Sequence, residues 1–231
     1  MYRYETHLHT APVSACAKAS VRETIEFYAS EGYDGVFLTN HFLDGNIGIA
    51  EDRPYKEKLD FYFSAYYEAK ELGEKLGLQV FPAVELTCKG TDFLVYGPEP
   101  AFYYAHPEIL DMKKTVQLPY FMEQGALVVQ AHPFREAYYI DHIRLFPRSV
   151  HGFETLNADR TELENRMADI AAEQYGLLKF AGSDNHWAGN AKKLAGMESD
   201  ERITSLEDFI AAVKQGKMRI FTWENRKKEG K

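Results

Sequence analysis

Gly35–Asn40 reads GVFLTN and is followed at once by His41. A short run rich in Val, Phe and Leu, opened by Gly and closed by a polar residue, has the signature of a buried strand. Its flanks decide the fold. Upstream, Val21–Ser30 places Val21, Ile25 and Tyr28 on one helical face and meets Gly32; downstream, Tyr55–Leu76 carries several Glu/Lys pairs and meets Gly77. A glycine just past a periodic stretch is a helix stop signal.

The same rhythm continues outward in both directions. Further strands are predicted at Tyr4–His9, Gln79–Leu86, Asp92–Tyr96, Ala126–Gln130, Gly152–Leu156, Leu178–Gly182 and Met218–Thr222. Helices are predicted at Thr161–Tyr175, which runs into Gly176, and at Ser205–Gln215, which runs into Gly216 and has Ser205 and Asp208 in capping positions. Strands alternating with helices imply an α/β protein with a largely parallel sheet. Seven or eight such units favour a TIM-barrel-like closure over an open sheet.

The chain has 231 residues, 45 % of them hydrophobic and 27 % charged, which suits one domain spanning residues 1–231 with a substantial core. No internal repeat or low-complexity linker divides it. The formal net charge of -8 argues against duplex nucleic acid or a membrane surface as partner, because both attract Lys and Arg. It leaves a small phosphorylated substrate open, since a bound cation inverts the local field. Two cysteines, Cys16 and Cys88, are too few for a disulfide framework, so a cytoplasmic setting is expected. The N-terminal MYRYETHLHT has no apolar run of signal-peptide length, and the C-terminal ENRKKEGK reads as a solvated tail.

Of the eight histidines, His7, His9, His41, His132 and His186 fall at the C-terminal ends of predicted strands, as do Glu85 and Asp184. In a parallel barrel those ends share one rim, so residues far apart in sequence converge. Alternate residues of a strand point the same way, which lets His7 and His9 grip one ion. Asp184 and His186 repeat that spacing, and the Glu85 carboxylate is able to bridge two ions. A lone strand-end His is more often a surface residue, and AHP or GSDNH alone is no more than a turn signal. The whole set together points to a site for two or three divalent metal ions, with zinc, iron or manganese as candidates.

The ordered segments HLHT (7–10), TNH (39–41), VEL (84–86), AHP (131–133) and GSDNH (182–186) resemble the PHP family, the polymerase and histidinol phosphatase domain, over residues 1 to about 190. The resemblance implies a distorted (β/α)7 barrel, a cluster of two or three metals and phosphoester hydrolysis. It implies that His7, His9, Glu85 and Asp184 hold one metal, Glu85 and His132 a second, and His41 and His186 a third. The chain departs from the family after the first motif, where a Ser-Asp-Gly run is common and residues 11–19 here read APVSACAKA. Cys16 is the nearest residue able to ligate; as a thiolate it favours a softer ion, and as a thiol it is a small buried hydrophobe. A further family His has no counterpart near TDFLVYG, where Asp92 is the candidate substitute, and His106 reads as peripheral.

A phosphatase also needs cations for the phosphoryl oxygens. Arg135, directly after AHPF, and Arg160, after the FETLNAD strand end, are candidate phosphate clamps, with solvated loop arginines as the alternative. Glu154 and Asn157 are expected either to bond a liganding His from behind or to meet substrate. Lys192 and Lys193 read as solvated. The resulting expectation is a metal-dependent phosphoesterase acting through a metal-activated hydroxide, with Asp184 or His186 passing a proton to the leaving alcohol. The rivals are an amidohydrolase-type C–N bond hydrolase and a non-catalytic, metal-stabilised regulatory domain.

Overall fold

A computed structural model of the chain describes residues 1–191 and 193–222; Lys192 and the tail after residue 222 lie outside the described residues. The strands are β1 (Tyr2–Leu8), β2 (Gly35–Leu38), β3 (Gln79–Cys88), β4 (Thr91–Tyr96), β5 (Leu127–Gln130), β6 (Gly152–Asn157), β7 (Leu178–Gly182), β8 (Ala195–Ser199) and β9 (Met218–Thr222). They form one nine-stranded sheet in the order β7-β6-β5-β4-β3-β2-β1-β8-β9. The helices are α1 (Val21–Ser30), α2 (Tyr55–Leu76), α3 (Pro100–Ala105), α4 (Lys114–Glu123), α5 (Glu162–Tyr175) and α6 (Leu206–Lys214).

The sheet curls until its β7 edge comes back to β1, giving an α/β, nearly closed barrel, with β8 and β9 extending past the seam. Beyond β7 the chain pairs with β1: Leu8 bridges Asn185 in parallel, His9 N donates to Asn185 O at 3.0 Å and Asp184 N donates to His7 O at 2.8 Å. A side chain completes the seam. The buried Glu5 carboxylate accepts from the amides of His7 and Ser183, both at 2.9 Å, and from the Tyr28 hydroxyl at 2.8 Å.

The sheet is less uniform than the alternating pattern predicts. β4 pairs antiparallel with β3 and with β5, and β8 pairs antiparallel with β1 and with β9, while the remaining neighbours are parallel. The reason for β4 is the short connection. Cys88 and Thr91 are paired across Lys89 (φ 52°) and Gly90 (φ 77°), a tight hairpin with no room for a crossover helix. Reversing β4 puts its first residues, including Asp92, on the rim where β3 ends.

The helix limits follow local chemistry. Ser20 and Thr161 each cap a helix and accept from the amide of Glu23 or Glu164, whose carboxylate bonds back to the cap. Ser205 caps α6 by accepting from Asp208 N. Inside the barrel, Phe37 packs on Phe209 of α6 at 4.3 Å and Tyr96 on Phe209 at 5.4 Å between ring centroids. Ile210 of α6 also abuts Gly97, just past the end of β4 opposite Asp92, so α6 closes the floor of the barrel. No helix among the described residues is long and apolar enough to cross a membrane.

Candidate metal centre

The rim opposite α6 collects His7, His9, His41, Glu85, His132, Asp184 and His186. Strand geometry supplies His7 and His9, whose ring centroids are 5.2 Å apart. Glu85 projects from the interior of β3. His132 and Asp184 lie just past β5 and β7 with φ of 26° and 52°, a region non-glycine residues enter at a cost of order 1–3 kcal/mol. Both are held there from behind. Glu154 on β6 accepts from His132 N at 3.0 Å, and Asp184 N bonds to His7 O at 2.8 Å. Gly182 is obligatory in this corner, because a Cβ there would stand 2.5 Å from His7 Cβ and 2.8 Å from Glu154 Oε1.

The hydrogen bonds behind the rings fix which nitrogen faces inward. His7 Nδ1 donates to Glu154 Oε1 at 2.9 Å, leaving Nε2 with a free lone pair. His9 Nδ1 lies 3.0 Å from Ser14 Oγ. That hydroxyl spends its proton on Asn40 Oδ1 at 2.9 Å, so it accepts from His9, and His9 Nε2 also turns a lone pair inward. His186 Nδ1 donates to the Asp184 carbonyl at 2.8 Å, which frees its Nε2 in the same way. His7 Nε2 and His9 Nε2 thus face each other at 3.2 Å, beside Asp184 Oδ1 at 3.5 and 3.3 Å.

Glu85 stands at the centre. Its Oε1 is 3.2 Å from His7 Nε2 and 3.6 Å from His132 Nε2; its Oε2 is 2.7 Å from His41 Nδ1 and 3.5 Å from His9 Nε2. The residue is 1 % exposed, yet neither oxygen has a hydrogen-bond partner, and neither does His41 Nδ1. A buried carboxylate with both oxygens orphaned is costly. The cost disappears if each oxygen and the nitrogens around it share a cation, and the donor set suits one. Three ligand groupings have their donor atoms mutually within 4.8 Å: His7, His9 and Asp184; His7, Glu85 and His132; and His9, His41 and His186.

The electrostatics carry the same demand for positive charge. Burial pushes Glu85 and Asp184 up, but His41, His7 and His9 hold Glu85, and chiefly His7 holds Asp184, well below the ordinary carboxylate range. Burial opposes charge on His7, yet Glu154, Asp184 and Glu85 hold it well above its ordinary value. Burial, aided by His186, drives His9 down to about 3. Burial raises the Cys16 thiol, but hydrogen bonds with His186 and His41 outweigh it and bring it to about 6.

A cleft of about 530 Å³ opens over this cluster, lined by Cys16, His41, Glu85, Asp92, Arg135 and Arg160 among others. Trp187 stands on its edge, 52 % exposed. Arg135 Nη1 is 3.5 Å from Asp92 Oδ2, and the Arg160 guanidinium pairs with Asp159. In both arginines Nε is buried without a partner. Asp92 lies 3.9 Å from His132 Nε2 but also accepts from Thr87 Oγ1 at 2.8 Å, and burial beside Glu85 raises its carboxyl. A second cleft of about 550 Å³ shares Arg160, Asp184, His186 and Trp187 with the first and adds Lys193. Glu154 and Asn157 sit behind the cluster: Asn157 Nδ2 donates to Glu154 Oε2 at 2.9 Å and to Asp184 Oδ2 at 3.3 Å. His106 is not part of the site; its ring pairs with Glu108 and Tyr120. Ser14 and Asn40 are the residues that sequence reasoning missed. Their signal is weak, a lone Ser in a loop and an Asn before a His.

A family model described as PHP-associated matches residues 162–218. No curated protein matches the sequence. Among solved structures, a two-domain protein from Bacteroides vulgatus described as containing a predicted PHP-like metal-dependent phosphoesterase superposes with a TM-score of 0.69 at 16 % identity; the match covers 95 % of this chain and 64 % of that one. PsfC from Pseudomonas syringae gives 0.63 at 16 % identity, covering 91 % and 89 %. An amidohydrolase from Chromobacterium violaceum with bound sulfate and no metal gives 0.58 at 14 % identity, covering 91 % and 96 %. The chain thus shares its barrel fold with a protein described as containing a PHP-like phosphoesterase, and its residues 162–218 match the PHP-associated model.

Proposed function

We propose that the chain is a metal-dependent hydrolase and, more specifically, a phosphoesterase acting on a phosphomonoester or small phosphodiester. The observation that carries metal dependence is the Glu85 carboxylate, buried, without a hydrogen bond at either oxygen and faced by four imidazole nitrogens. In this reading His7, His9, Glu85 and Asp184 hold one divalent ion, Glu85 and His132 a second, and His41 and His186 a third. When bound, such ions supply Lewis acidity and lower the pKa of a water.

The chain's own groups do the rest. Arg135 and Arg160 line the cleft, and a guanidinium matches the oxygens of a phosphoryl group two at a time. Asp92 and Asp159 keep them in place before substrate arrives. Asp184 and His186 line both clefts; the Asp184 carboxylate is the candidate to carry a proton to a leaving alcohol, whereas the Nδ1 proton of His186 is committed to the Asp184 carbonyl. The arginine pair favours a phosphoester, because an amide carries no oxyanion in its ground state. The small cleft and the net charge of -8 favour a small molecule over duplex nucleic acid. The two cysteines, unpaired with each other, suit the cytoplasm.

The second reading is C–N hydrolysis, favoured by the name of the Chromobacterium neighbour, although that protein holds sulfate, a tetrahedral oxyanion like phosphate. The test is a screen of protein reconstituted with zinc, iron or manganese against phosphomonoesters, phosphodiesters and amides. Phosphoester turnover that chelation abolishes is expected. Turnover of amides alone would replace the assignment with the second reading, and inertness toward all three would favour a regulatory domain.

A further inference from the structure

The loop between β1 and α1 brings a sulfur to the rim, and the backbone holds it there from both sides. Lys18 N and Ala19 N both donate to the His186 carbonyl, at 2.8 and 3.2 Å. Ala15 N donates to Asn46 O at 2.9 Å, and His41 N donates to Ser14 Oγ at 3.0 Å. Cys16 is thereby fixed between His41 and His186, partly buried and open to the cleft. Its Sγ lies 3.1 Å from His186 Nε2, the nitrogen whose lone pair is freed because Nδ1 donates to the Asp184 carbonyl. Across the group, His41 Nδ1 and Glu85 Oε2 are 2.7 Å apart, both buried and both without a hydrogen bond. His186 also stacks on His9 at 4.3 Å, so one further ring lies close by.

We infer that Cys16 is a thiolate ligand of the outermost metal position, which it forms with His41 and His186. This rests on the metal-dependent reading above and extends it to the kind of ion bound. One sulfur and two imidazoles leave a fourth tetrahedral position for water or substrate, the arrangement of a catalytic zinc site. The thiol gives its proton to solvent as the ion arrives. Sulfur makes this position selective for a soft ion, whereas the Glu85 and Asp184 oxygens make the inner positions harder.

The experiment is cobalt(II) titration of chelator-stripped protein, read by absorption and by metal equivalents bound. A thiolate-to-cobalt charge-transfer band in the near ultraviolet is expected in the wild type and in Cys88→Ser. In Cys16→Ser the band should vanish while the ligand-field absorption of the inner ions persists. Cys16→Asp should regain the missing equivalent without the band, which separates loss of a ligand from loss of the fold. Cobalt uptake with no charge-transfer band in the wild type, or a band that survives Cys16→Ser, would overturn the thiolate ligand and leave the metal centre standing. Failure to take up any cobalt would overturn the metal centre itself.

Discussion

His7, His9 and Glu85 lie on or at the end of strands, are 1 % exposed or less, and the two rings are bonded from behind by Glu154 and Ser14. Cys16, His41 and His186 lie in loops, are partly exposed, and owe their positions mostly to backbone hydrogen bonds between loops. The deep half of the site is thus placed by the sheet and oriented by side chains. The rim half is placed by how three loops dock on one another. Strand placement leaves little freedom to lose, whereas loop placement couples each rim residue to its neighbours.

The largest effect should come from Glu85→Gln, which keeps the shape and removes the charge shared by four imidazoles. Elemental analysis should find no retained metal, and turnover should vanish. Retention of a rim ion would show that the two halves bind independently. Next, Glu154→Gln disturbs the His7 ring and the His132 amide without touching the cleft. An outer-sphere change of this kind costs about 10–100-fold in metal affinity, here with an unchanged circular dichroism spectrum. Arg160→Ala should leave metal content intact and raise KM for the phosphorylated substrate by about tenfold, the size of one lost charge-assisted hydrogen bond. A fall in bound metal instead would make Arg160 part of the scaffold. The smallest effect is expected at Ser20, where the capping box of α1 closes the Cys16 loop. Ser20→Ala should cost about 1 kcal/mol in denaturant unfolding and leave the inner ions in place, so any metal lost would come from the rim.

Much of this architecture is legible in the sequence because the deep half obeys simple periodicities. GVFLTN, QVFPAVEL and LKFAG announce strands, and the residues that close or follow them announce the rim. The capped helices α1 and α5 fall within a residue of their predicted limits. β8 is illegible for a physical reason. Its AGMES lacks an apolar alternation because it packs backbone to backbone on β1: a Cβ at Gly196 would stand 2.2 Å from Tyr4 O. α4 is masked by Pro119 inside it, which reads as a breaker. Asp92 is hard to place from sequence because a strand's first residue reaches the rim only if the strand runs backward. The signal for that is the five-residue gap between the predicted strands ending at Leu86 and starting at Asp92, too short for a crossover. The partners of Cys16 are invisible in sequence, since they come from docking the loop onto residues 46 and 186.

The packed rings of Phe37, Tyr96 and Phe209 under α6 have a consequence for time rather than geometry. With the floor of the barrel filled, an ion at His7, His9 and Asp184 would exchange with solvent through the cleft above, which Cys16, His41, Glu85, Asp184 and His186 line together. Residence then follows burial: a chelator should strip the protein in steps, the partly exposed rim position before the buried one.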